Sequence, residues 1–337
     1  MTTLDERVHA LATLGFSERQ TRFITLVALH SGFCLRRQYA AFAGLQPGAG
    51  VRDFLDRLVT RRLARRFGFR PDRGHVYHLH NSSIYGAIGQ DDNRNRRRSS
   101  PALIARKLML LDFVLQHQDT EWYATEADKV ALFTGRFGVA RSSLPRRTYR
   151  SRQTAVAPTV RHFIHKLPIG LSGQPAVPSF VFLVTDTRGH AFTQFVRDHV
   201  PLLNQLTAWR IVAVAPRHIP GLTACEQAFK QLDSARAGLG DTLRELESYV
   251  AVREGLERDD LTGVSVAQID KFREVRNRFA AAQLDSLYEQ WKAKGPGILQ
   301  TPEAAGLIGL PVLSRGAIVT YRLPIRYDRF GTFAGMV

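Results

Sequence analysis

Hydrophobic positions over the first eighty residues recur at helical spacing and then switch to alternation. Leu4, Val8, Leu11 and Ala12 share one face of a helix predicted over residues 4–14. Thr3 can cap it, and Asp5 and Glu6 sit in its first turn, where the macrodipole favours acids. Gly15 stops that helix. Ser17-Glu-Arg-Gln20 then has capping-box spacing for a second helix, with Phe23, Ile24, Val27 and Ala28 inward. A short helix over 35–43 carries Tyr39, Phe42 and Ala43, and GLQPGAG at 44–50 turns the chain. Residues 51–62 follow as a helix whose buried stripe is Val51, Phe54, Leu55 and Leu58. Arg52, Asp53, Asp56, Arg57 and Thr60 lie mostly off that stripe. Residues 63–69 and 75–80 alternate as strands, and RPDRG at 70–74 is strong turn chemistry between them.

Beyond residue 80 the pattern is less regular. Residues 81–100 are polar, end in a run of arginines, and read as a linker or exposed arm. A helix follows over 101–117, with Leu103, Leu108, Leu111, Val114 and Leu115 inward. Residues 122–133 read as helix or strand-turn-helix, 135–159 as an arginine-rich loop, and 160–171 as one extended segment. The continuous apolar runs at 179–185 and 209–216 are buried strands, separated by a helix over 191–206. That order fits a right-handed crossover in a mixed or parallel sheet. Residues 223–294 are helical, and 317–324 offer a last strand.

The chain therefore reads as α+β. Four segments are expected: 1–90 as a winged helix, 91–159 as an arginine-rich linker with helices, 160–220 as a small α/β core with a mixed sheet, and 221–337 as a helical C-terminal region.

Composition narrows the partners. Of 337 residues, 44% are hydrophobic, which disfavours disorder, and the formal net charge is +17. Such an excess favours a polyanion, and arginine suits phosphates and guanine edges better than lysine does. Cys34 and Cys225 are too few for a disulfide framework or a zinc site, so a cytoplasmic setting is the simpler expectation. No apolar stretch approaches a bilayer span and no signal peptide is expected, so no membrane partner is expected either.

The order helix, turn, helix, basic ribbon over residues 34–80 resembles the winged-helix DNA-binding domains of bacterial regulators and plasmid-replication proteins. The passage LVTRRLARRF at 58–67 carries the resemblance most directly, while the long 44–50 turn departs from it. The resemblance implies residues 51–62 in a major groove of double-stranded DNA, with Arg52 and Arg57 as candidates for base edges and Thr60 beside them. Arg61, Arg62, Arg65, Arg66, Arg70 and Arg73 would hold phosphates, joined by Arg94, Arg96, Arg97 and Arg98 of the arm. The implied roles are transcription regulation, or replication or transfer of a plasmid or other mobile element. A protein partner through the C-terminal two thirds and a homodimer are both compatible with them.

Residues 160–215 resemble, more weakly, the core of restriction-endonuclease-like folds, which proteins similar to the replication-relaxation family join to a winged helix. An active member would need two carboxylates for Mg²⁺ and a lysine for the attacking water. Here the first strand offers His165-Lys166, and the second ends in Asp186-Thr-Arg188, with Arg where Lys is needed. The expected core is a degenerate one that does not cut, so no cofactor is expected. A Mg²⁺-dependent nuclease centred on Asp186, or an adaptor that recruits a protein to DNA, is the alternative. His75, His78 and His80 read as a polar strand face, because no further ligand is placed by spacing.

Overall fold

The computed structural model describes residues 2–69, 74–149, 159–185, 187–237, 239–260, 262–279, 281–295, 297–298, 315–327 and 333–334. It is an α+β protein built around two main sheets.

The first eighty residues give α1 (Leu4–Ala10), α2 (Glu18–His30), β1 (Phe33–Leu35), α3 (Arg36–Ala43), α4 (Ala49–Thr60), β2 (Ala64–Phe69) and β3 (Gly74–Leu79). Thr3 with Glu6, and Ser17 with Gln20, form capping boxes that begin α1 and α2. The predicted 4–14 helix ends earlier than its periodicity suggests. A 3-10 turn follows at Ala12–Leu14, closed by Gly15 at φ 66°. β1 and β2 flank β3, both antiparallel, so that Phe33 and Arg65 each lie opposite His78.

The polar stretch after β3 is not a free arm. It forms α5 (Ser82–Ala87) and then folds back onto the first unit. Asn95 Nδ2 donates to the Ala28 and Leu29 carbonyls at 2.9 and 3.1 Å, and the Asn95 carbonyl accepts from His78 Nε2 at 3.0 Å. These contacts satisfy carbonyls that the end of α2 leaves without helical partners. Gly32, at φ 77°, lets the segment in, because a Cβ there would stand 2.3 Å from the Asn95 carbonyl oxygen.

Next comes α6 (Pro101–Gln116), capped by Ser100 with proline in its first turn. Its apolar side joins the core of the first unit rather than a linker. Asp112 on α6 takes both arms of the Arg37 guanidinium at 2.6 and 2.7 Å and accepts from the Tyr327 hydroxyl.

Residues 121–183 supply β4 (Glu121–Tyr123), α7 (Glu126–Ala131), β5 (Arg146–Tyr149), β6 (Thr159–His162), β7 (Ile169–Ser172) and β8 (Val177–Leu183). The expected arginine-rich loop over 135–159 contains β5, which pairs with β6 in a separate two-stranded ribbon. The single extended segment expected over 160–171 is divided between that ribbon and the central sheet. Phe163 and Lys166, at φ 51° and 53°, make the corner.

The chain continues through α8 (His190–Leu203), β9 (Trp209–Ala215), α9 (Leu222–Ala237), α10 (Leu239–Glu257), α11 (Val266–Arg278), α12 (Ala281–Lys294), β10 (Gly316–Arg322) and β11 (Phe333–Ala334). The central sheet runs β10-β9-β8-β7-β4. β8, β9 and β10 are parallel, and β7 is antiparallel to both neighbours. Apolar residues alternate between two cores: Val181, Leu183, Val212 and Val214 face the N-terminal unit, whereas Phe180, Ile211, Ala213 and Ala215 face α8 and α9. Burial on both faces explains why these strands read as continuous apolar runs.

The C-terminal region is not helical throughout. α10, α11 and α12 have their own small core around Leu246, Tyr249, Val275 and Tyr288. β10 then returns to the central sheet, and β11 pairs with β2.

Candidate nucleic-acid interface

α4 has two chemically distinct sides. Val51, Phe54, Leu55 and Leu58 are buried, with Phe54 packed against Phe16, Phe23 and Tyr39 at ring-centroid distances of 5.9, 6.2 and 4.2 Å. Arg52, Asp53, Arg57 and Thr60 are exposed on the other side, and Arg61 and Arg62 follow directly. The buried stripe fixes the helix so that this basic side faces solvent.

The arginines on that side are not equivalent. Arg57 lies over the Phe16 ring at 4.8 Å and donates to Gln20 Oε1 at 2.7 Å. Arg61 lies over the same ring at 5.0 Å and donates to the Leu14 carbonyl. Both tie the end of α4 to the turn before α2. Among the described residues Arg52 has only a loose contact with Asp53, at 3.6 Å between nearest charged atoms. Arg62, at φ 56°, turns the chain into β2, where its carbonyl accepts from Asn81 Nδ2 at 3.1 Å.

On β2, neighbouring side chains point to opposite faces. Arg66 approaches Asp56 at 3.5 Å. Asp56 also faces Arg36 at 3.8 Å and accepts from the Tyr77 hydroxyl at 3.4 Å. Arg65 is exposed and belongs to no ion pair among the described residues. Arg52, Arg62 and Arg65 are thus the least committed cations of this surface. Arg70 and Arg73 lie outside the described residues.

The histidines of β3 and of the residue after it, His80, differ from the polar face expected of them. His78 is buried, stacked on Phe33 at 4.1 Å, and burial pushes it down to about 4. His80 is held below its ordinary value by partial burial and by Arg65. His75 is lowered by partial burial and by Arg66 and Arg36.

Arg94, Arg96, Arg97 and Arg98 are carried by the folded-back segment. Arg96 is engaged with the Asp91 carbonyl, and Arg97 and Arg98 are exposed. Arg94 lines a groove of about 690 Å³ on the other side of this segment. Lys129, Arg161 and His162, none of them singled out from sequence, also line it, together with Lys166, which the sequence placed only in the nuclease-like resemblance. The basic run RHFIHK at 161–166 was the available signal, and its surroundings depend on the β5–β6 pairing. Lys129 is fully buried and donates to the Leu167 carbonyl at 2.6 Å, and burial pushes it down to about 7.

Asp186 lies outside the described residues. His165, of the same nuclease-like resemblance, meets Asp198 at 2.8 Å and stacks on His199, an arrangement that orients the imidazole. No family profile, no curated protein and no solved structure matches this chain. Among the described residues no helix is long and apolar enough to cross a membrane.

Proposed function

We propose that the protein binds double-stranded DNA through α4 and the β2–β3 ribbon, as a winged-helix protein does. The observation that carries this reading is the division of α4 between a tightly packed stripe and an exposed basic side that continues onto Arg62 and Arg65. A helix held rigidly on one side can present the other to a major groove, and an adjacent basic ribbon can reach the backbone. The order α2, β1, α3, α4, β2, β3, with β3 central among the three strands, supports the same reading.

In this arrangement Arg52 reads a base edge and Arg62 and Arg65 hold phosphates. Arg57 and Arg61 set the pose of α4 through Phe16 and add positive field. Regulation, replication or transfer of a mobile element are the roles that such binding serves, and a cytoplasmic location suits all of them.

Selection from a random duplex library tests the proposal. The protein should enrich a motif. Arg52→Ala should then cost about 1–3 kcal/mol at one base pair while leaving the others unchanged. Failure to bind any duplex would contradict the proposal.

A further inference from the structure

The groove beside the folded-back segment is walled by parts of the chain that lie far apart in sequence. Arg94 comes from that segment, Arg161 from β6, and Lys166 from the corner after it. Partial desolvation, and then Arg94, Arg161 and Arg97, which all bear on Lys166, hold its ammonium below the ordinary range. Glu126 is the nearby counter-charge, and it is shared. It meets Arg161 at 3.9 Å, and its Oε1 accepts the His162 backbone N–H at 2.7 Å. Asp91 and Asp92 line the loop wall, where the Asp91 carboxylate sits against Gly86. Arg94 and Lys166 have no ion-pair partner among the described residues. Like charges gathered this way repel one another unless an anion lies between them.

A second observation comes from the histidines. His162 is 7% exposed, and its Nε2 accepts from Arg141 Nε at 3.4 Å. Neutral His162 therefore carries its proton on Nδ1, and that buried donor has no partner among the described residues. His30 also lines the groove, 5% exposed, and its Nδ1 is likewise without a partner among the described residues. Buried polar atoms are rarely left so.

The size and lining narrow the ligand class. A volume of about 690 Å³ is far more than a lone phosphate needs and lies in the range of small-molecule sites. Tyr149 on β5, 48% exposed, stands on the wall as a flat aromatic platform, which suits a base. The carboxylates on the loop wall can accept from a sugar hydroxyl or a base amino group.

We propose that this groove binds the phosphate end of a nucleotide, the phosphate against Arg94, Arg161 and Lys166 and the base over Tyr149. The nucleotide is either free or the 5′ terminus of a single strand. This site is separate from α4 and does not depend on the duplex reading.

The test uses the full chain and two matched pairs of probes. One pair is dTMP and thymidine, followed by calorimetry. The other is a 3′-fluorescein octathymidylate with and without a 5′-phosphate, followed by anisotropy. The phosphorylated member of at least one pair should bind about tenfold or more tightly than its partner, as a charge-assisted phosphate site requires. Arg94→Gln combined with Lys166→Asn should abolish the preference. Both positions are exposed, and asparagine tolerates the positive φ of residue 166, so the fold should be retained. A preference for dTMP assigns a free nucleotide, and a preference seen only with the oligomer assigns a strand end. A smaller preference in both pairs, or one that survives the double substitution, overturns the proposal.

Discussion

Arg7 and Asp128 make a buried two-pronged ion pair at 2.9 and 3.0 Å, joining α1 to α7. Removing one partner leaves the other charge buried. Asp128→Ala should therefore lower stability by about 3–5 kcal/mol in urea unfolding, whereas Arg7→Met with Asp128→Leu should cost much less. An equal loss in both variants would contradict this account. Three buried histidines set the pH response at the same scale. Burial pushes His30 down to about 3 and His78 and His199 to about 4, against 6.5 in an unfolded chain. As pH falls below 6.5, the unfolded state takes up protons that the folded state refuses, so stability is lost. That loss continues until about pH 4 for His78 and His199 and about pH 3 for His30. The urea midpoint should fall between pH 7.5 and 5, and a constant midpoint would contradict the burial assigned to these rings. None of this was legible from sequence, because the surroundings of a histidine depend on partners far along the chain.

At the scale of elements, legibility followed burial. α4 was readable because one of its sides is packed and the other is not, so residues 51–60 carry a clear binary pattern. β5 was missed because Arg146 through Tyr149 are all exposed, which leaves no apolar alternation to detect. The corner between β6 and β7 was missed because Phe163 and Lys166 adopt positive φ where glycine would have announced a turn. The arginine-rich segment looked free because its anchor is a single asparagine. Asn95→Ala removes two side-chain hydrogen bonds to the end of α2, at about 1 kcal/mol each. Trypsin should then cut after Arg94, Arg97 and Arg98 much faster than in the wild type, with the rest of the chain still folded. Unchanged cleavage would mean that the Asn95 contacts do not hold the segment.

For the whole molecule, the central sheet is the shared wall between two cores. Its Val181 and Val212 side chains complete the N-terminal unit, and Phe180 and Ile211 complete the opposite layer. The sequence marked these strands as buried on both faces but could not say that residues 1–116 cover one of them. The α4 surface belongs to the unit that covers one side of the sheet, and Arg94, Arg161 and Lys166 line a groove to which α4 contributes no residue. The most direct test of the duplex-binding claim is the salt dependence of affinity for a labelled duplex, compared between the wild type and Arg62→Gln with Arg65→Gln. If these two arginines each neutralise a phosphate, the slope of log K against log salt should become shallower by about 2 in the double variant, with weaker binding at low salt. An unchanged slope and affinity would contradict the account.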